Sequence, residues 1–150
     1  MITLITIGKI KEKYIKDGID DYVKRLSKYT KFSLIELPDD SYDVDKTLKS
    51  EALKILEKLN KKSYIITLEI DGNELNSVEF SNLIDKTSMN YSDITFIIGG
   101  SYGLDDSIKE LSNYKLSFSK MTFPHQLFRL VFLEQLYRSY KILNNESYHK

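Results

Sequence analysis

The chain has 150 residues, of which 41% are apolar, enough to bury one sizeable core and too few to build a second domain. Lysine plus arginine and aspartate plus glutamate balance at 22 each and the isoelectric point is about 6.7, which removes the global positive charge that drives non-specific nucleic-acid binding. With no cysteine, disulfides, thiolate metal sites and a thiol nucleophile are excluded, and two histidines are too few for a dedicated zinc site without several carboxylates, so a metal-free chain is expected. From Met1 the sequence enters a short apolar strand, Ile2 to Ile7, ended by Gly8. No basic segment or small-residue cleavage pattern precedes it, and no apolar run approaches membrane-spanning length, so a cytoplasmic location is expected.

Tyr14 to Leu26 reads as a helix, with Tyr14, Ile15, Gly18, Ile19, Tyr22, Val23 and Leu26 at helical spacing. Lys9, Lys11, Lys13, Lys16, Lys24, Arg25, Lys28 and Lys31 crowd this first quarter, and Asp39, Asp40, Asp43 and Asp45 follow as an acidic patch. Two readings of the basic cluster stand: an ordinary solvated helix face, or a surface that meets a polyanion. Phe32 to Leu37 is a strand closed by Pro38, Leu48 to Leu59 a helix, and Tyr64 to Ile70 a strand ended by Asp71-Gly72. Ser77 can cap a helix through about Ser88, Ile94 to Ile98 is a fourth strand, Asp105 or Asp106 caps a short helix to Leu111, Tyr114 to Phe118 is a fifth strand, and Gln126 to Leu143 is a long closing helix. Strands separated by helices predict an α/β fold, a mainly parallel sheet covered on both faces, in one domain spanning residues 1–150.

Two loops stand out. After the fourth strand come Gly99, Gly100 and Gly103, where the backbone can turn sharply and approach a ligand without a Cβ in the way. After the fifth, Ser119, Lys120, Met121 and Thr122 lead to Pro124 and the last helix. Neighbouring strand ends in an open α/β sheet are where small ligands usually bind. The last helix is apolar almost all round, more than one sheet can bury, which points to a homodimer interface. Arg129 falls in the middle of the sector formed by Phe132, Leu133, Leu136, Tyr137 and Tyr140. It is either an arginine whose head snorkels to water or a guanidinium held at an interface to meet an anion or a base.

Ile98-Gly-Gly-Ser-Tyr-Gly-Leu104, Leu116-Ser-Phe-Ser-Lys-Met-Thr-Phe-Pro-His125, Glu134-Gln-Leu-Tyr-Arg138 and the terminal Tyr148-His149-Lys150 occur in this order. Ile7-Gly8-Lys9 and Thr67-Leu-Glu-Ile-Asp-Gly72 accompany them. In these motifs, and along essentially its whole length, the chain resembles the RlmH family of SPOUT-class (α/β-knot) methyltransferases, which methylate N3 of a pseudouridine in large-subunit ribosomal RNA using S-adenosylmethionine. The resemblance implies a C-terminal trefoil knot, which periodicity could never show and which is nearly absent among proteins at large. It also implies a cofactor bent into the knot loops and an active site completed by a second subunit. Carried onto this chain, the cofactor contacts fall at Leu68, Gly99, Phe118, Ser119, Lys120, Met121, Thr122 and Phe123. Apolar side chains such as Leu68, Phe118 and Met121 would sandwich the adenine, although plain core packing is the commoner role for residues such as Met121 and Phe123.

The reaction the resemblance implies is in-line attack by a pyrimidine nitrogen on a sulfonium methyl group, in which alignment supplies most of the catalysis. A base, a cation or water must deal with the imino proton. His149 is a candidate base, and Arg129 or Arg138 could hold the pyrimidine oxygens. His125, at the helix start, is better suited to fixing the loop. By default a histidine next to the last residue is a frayed end; in a dimer the tail from Asn144 to Lys150 could reach the partner's cofactor loop. The neutral charge makes a composite recognition surface, and hence the assembled ribosome, the expected substrate form. The alternative class is a non-catalytic RNA- or ribosome-binding module. A phosphate-cradling role for Gly99 to Gly103 is poorly supported, because the loop lacks a P-loop lysine.

Overall fold

A computed structural model describes residues 1–150 and contains the elements β1 (Ile2–Ile7), α1 (Lys13–Leu26), β2 (Phe32–Leu37), α2 (Val44–Lys58), β3 (Tyr64–Glu74), α3 (Ser77–Asn90), β4 (Ile94–Ile98), α4 (Asp106–Leu111), β5 (Tyr114–Ser117) and α5 (His125–Leu143). The strands form one sheet in the order β2-β1-β4-β3-β5, with every neighbouring pair parallel. All strand C-termini therefore lie along one edge, and the loops after β3, β4 and β5 meet there. No helix is long and apolar enough to cross a membrane.

Alternation along the strands divides the interior into two layers. Ile2, Leu4, Ile66 and Phe96 point to a layer shared with Ile15, Ile19, Phe80, Phe132 and Leu136, so α1, α3 and α5 cover that face. Ile5, Ile7, Ile65 and Ile97 point the other way, to Ala52, Ile55, Leu104 and Ile108 of the α2 and α4 side. Helices on both faces of a parallel sheet are what the alternating pattern predicts. α5 packs between α1 and α3 as well as on the sheet, and no residue from Gln126 to Leu143 is exposed. Its apolar girth is thus largely met within one chain, a coverage that weighing the helix against the sheet alone misses. At the α1 contact a Cβ on Gly18 would stand 2.9 Å from Leu130 Cδ1, so a side chain at residue 18 would require Leu130 to shift.

Most element boundaries fall within one or two residues of the sequence expectation, and three larger or chemically distinct differences have a physical cause. α2 starts at Val44, a turn earlier than its apolar stripe, because Asp43 accepts from the Lys46 amide at 2.9 Å and caps it. β3 continues through Asp71-Gly72 to Glu74, because an irregularity between Leu68 and Asn73 lets its end pair again with Leu116 and Ser117 of β5. α3 is capped by Asn76 in a reciprocal box with Glu79, and Ser77 instead donates to Gln135 on α5 at 2.6 Å.

Arg129 is 1% exposed, so its head does not snorkel. Nη1 meets Glu36 Oε2 at 3.0 Å, and Nη2 donates to the carbonyls of Ile7 at 2.7 Å and Gly8 at 2.8 Å. Burial pulls the guanidinium pKa down and Glu36 opposes that shift. Nε has no partner. A lysine, as a point charge, cannot serve a carboxylate and two carbonyls in this fork geometry. Arg129→Lys should therefore lower the unfolding free energy in urea by about 2–4 kcal/mol; a loss below about 0.5 kcal/mol, the range of ordinary surface substitutions, would show that the buried fork is not structural.

Candidate active site

At the C-terminal edge of the sheet, the stretch Leu68 to Ile70 where the pairing of β3 is interrupted, the ends of β4 and β5 with their loops, and the start of α5 enclose a cleft of about 220 Å³. Of the residues assigned to a cofactor from sequence, Leu68, Gly99, Phe118, Ser119, Met121, Thr122 and Phe123 line it; Lys120, in the same loop, does not. Sequence reasoning missed Glu69, Ser101 and Phe128. Only the position of Glu69, next to Leu68 at a strand end, could have signalled it. A neighbouring cavity of about 340 Å³ lies behind Phe118 between α3 and α5, but two of its polar residues, Ser77 and Gln135, bond to each other.

The glycine loop closes on itself: the Gly103 amide donates to the Gly100 carbonyl at 3.1 Å, and a Cβ on Gly99 would collide with the Gly103 carbonyl. Of the two reasons for glycine that the sequence suggests, a sharp turn and a ligand's approach, the loop's own turn already requires Gly99. Gly103 has φ +79°, a left-handed conformation that suits glycine. Behind the loop, a Cβ on Gly100 would stand 3.2 Å from Oε1 of Glu51, a carboxylate that is 4% exposed and whose pKa burial pushes up.

The second loop is braced by its own serines, Ser117 Oγ donating to the Ser119 carbonyl at 3.2 Å and the Met121 amide to Ser119 Oγ at 2.9 Å. Phe128 carries it, edge-on to Phe118 at 5.1 Å and stacked on Phe123 at 5.6 Å between ring centroids. Met121 is 77% exposed at the rim, so its role is not core packing. Glu69 is the only carboxylate in the lining; Oε2 accepts from Thr67 Oγ1 at 2.6 Å and Oε1 lies 3.9 Å from Lys109 Nζ. The cleft therefore offers apolar and aromatic walls, exposed loop backbone and one anion, a set that suits a flat heteroaromatic ligand carrying positive charge. No group of three or more acidic or histidine side chains converges as metal ligands.

The residues proposed for catalysis do not gather at this cleft. Arg129 is buried under β1 and β2 as described. Arg138 and His149 lie together at the other end of α5, with Arg138 Nη1 3.1 Å from His149 Nδ1. From His125 to Arg138 the helix rises about 20 Å, so the pair stands far from its own chain's cleft. The basic cluster also divides. Lys13 and Arg25 pair with Asp17 and Asp21 on their own helix. Lys9 and Lys11 sit in the loop after β1, held beside the cleft by a 2.9 Å hydrogen bond from the Lys11 amide to Gln126 Oε1.

Comparison with known proteins gives a consistent result. The family described as "Predicted SPOUT methyltransferase" matches residues 1–149. The chain is 53% identical to a protein of Methanococcus maripaludis and 48% identical to the ribosomal RNA large subunit methyltransferase H of Clostridium acetobutylicum, each match covering 99% of both chains. Among solved structures, a probable methylase family protein from Haemophilus influenzae aligns with 99% of this chain and 70% of its own at a TM-score of 0.60 and 14% identity, a likeness of fold.

Replacing Gly99 by Ala should force the loop open and weaken S-adenosylmethionine binding by at least about tenfold, roughly 1.4 kcal/mol, with far-UV circular dichroism unchanged. Parent-like affinity in calorimetry would place the ligand away from this loop.

Proposed function

Because the chain belongs to the SPOUT methyltransferase family, we propose that it transfers the methyl group of S-adenosylmethionine to N3 of a pseudouridine in large-subunit ribosomal RNA, acting on the assembled ribosome as a homodimer. The observation that carries this reading is the near full-length similarity to relatives named ribosomal RNA large subunit methyltransferase H. The cleft supports it, since it is built from the loops at which the resemblance to the family implies the cofactor binds. The implied trefoil knot is compatible with a chain that leaves β5 at the sheet edge, forms the cleft loop and returns as α5 between α1 and α3.

When bound, S-adenosylmethionine supplies a methyl group activated by sulfonium charge. Leu68, Phe118 and Met121 would hold its adenine, and the backbone of the second loop would read the edge of that ring. Glu69 favours a cationic ligand over a neutral one. The protein contributes mainly alignment, because displacement at a methyl group requires nitrogen, carbon and sulfur in line and little covalent help. Arg138 and His149 are the groups available to a target base, and their distance from the chain's own cleft supports their acting at the cleft of a second subunit. Lys9 and Lys11, beside the cleft, suit contact with the RNA backbone. Arg129 then serves by holding the strand ends rather than by touching the base.

Methyl transfer from labelled cofactor should be measured on free large-subunit RNA, isolated subunits and whole ribosomes from a strain lacking this protein. Incorporation at a pseudouridine, greatest on whole ribosomes, is expected; tight cofactor binding without transfer to any of the three would leave a binding module. A mixed dimer tests the second subunit. Combining a chain lacking Tyr148, His149 and Lys150 with a Gly99→Val chain should restore activity, since the intact cleft of one chain then receives the tail of the other. A mixture as inactive as its components would mean that each tail serves its own chain.

A further inference from the structure

At the far end of α5, Glu134 and Arg138 lie one helical turn apart and meet as a fork, Oε1 accepting from Nε and Oε2 from Nη2, both at 3.1 Å. A carboxylate bound this way fixes the guanidinium plane. Nη1 is left free of Glu134 and reaches His149 Nδ1 at 3.1 Å. Tyr148 braces the group: its hydroxyl donates to Glu134 Oε2 at 3.0 Å, and its ring lies 4.8 Å from the guanidinium carbon. Burial, with Tyr22 and Glu134 beside it, pushes the Tyr148 hydroxyl pKa well above its ordinary range and keeps it a donor. Gln135 donates to Glu134 Oε1 at 2.9 Å and accepts from Ser77 at 2.6 Å, which ties the group to α3.

A guanidinium has only donors, so its bond to Nδ1 exists only while that nitrogen is unprotonated. The hydrogen of the neutral ring is then on Nε2. In this arrangement His149 has no free lone pair: Nδ1 is engaged and Nε2 is a donor. Resting on the methyl-transfer reading above, we propose that Glu134, Arg138 and His149 form a preset donor site for a nucleobase carbonyl oxygen, with Glu134 as the positioning residue and His149 acting through Nε2–H rather than as the base. An imide nitrogen flanked by two carbonyls gives its proton to water, and its electron pair forms the N–C bond as the methyl–sulfur bond breaks and the neutral thioether leaves with that bond's electrons. The negative charge spreads onto those oxygens, and a fixed donor there stabilises it.

Two substitutions separate donor from base. His149→Gln keeps an N–H of similar reach and removes any basic nitrogen, whereas His149→Ala removes both. The Gln variant should keep methyl transfer within about tenfold of the parent, and the Ala variant should lose at least about a hundredfold. Removing a general base costs ~10²–10⁴-fold, so losses of that size in both variants overturn the proposal. Nitrogen NMR of ring-labelled histidine in the whole protein gives a readout independent of turnover. The His149 ring should be Nε2-protonated in the parent and a tautomer mixture in Arg138→Leu and Glu134→Gln. A ring protonated on Nδ1 in the parent, or a tautomer ratio unmoved by Arg138→Leu, overturns it whatever the activity. Absence of transfer by the parent on any RNA substrate overturns both the underlying reading and the nucleobase ligand.

Discussion

A single buried guanidinium governs the working edge of this fold. Charge in an apolar interior is tolerated only where partners surround it, and Arg129 finds them in Glu36 of β2 and in the last carbonyls of β1 and the glycine that follows. Those partners lie roughly a hundred residues earlier in the chain, so satisfying one side chain fixes how α5 meets the opposite side of the sheet from β5. The first turns of α5 carry Phe128, on which the second cleft loop rests, and Gln126, which holds the loop after β1. The electrostatic demand of Arg129 thereby sets the relation between the cleft and the basic residues beside it.

The proposed active-site machinery has two unlike halves. The cleft is loops, backbone and aromatic contact, with glycines whose conformations leave little tolerance for side chains. The other half is a network of charge and hydroxyl groups on a rigid helix, where planar pairs define direction. Separating them along α5 lets each use the scaffold it needs: bent backbone for a ligand with a flat ring, and a stiff helix for donors that must be aimed.

Much of this was legible in the residues. Short apolar runs, several of them closed by glycine or proline, located the strands, and helical spacing located the helices, because local pattern and burial agree in an α/β sheet. What escaped depends on tertiary partners. Asp71-Gly72 has the composition of a turn yet lies within a strand, because β5 is present to pair with the residues beyond it. Arg129 was visible as an anomaly, but its partners in β1 and β2 were not. Gly99 was singled out for a sharp turn and a ligand's approach, while the carbonyl that excludes a side chain there, Gly103 of the same loop, was not foreseen. Lys120 was grouped with its neighbours by sequence, while the turn takes it off the cleft wall. The knot, unlike all of these, has no local signature.

Placing β1 between β2 and β4 has a consequence for how the molecule is made. A chain emerging N-terminus first can pair β1 with β2 early, but the other edge of β1 stays open until β4, in the far half of the sequence, has been synthesised. That edge is flanked by apolar residues such as Ile2, Leu4 and Ile5 and offers unpaired backbone for many seconds, the condition under which strands recruit wrong neighbours. Nascent chains of this protein are thus expected to depend on holding factors until β4 has emerged, and a fusion that delays release of residues 94–98 should aggregate through its first strand.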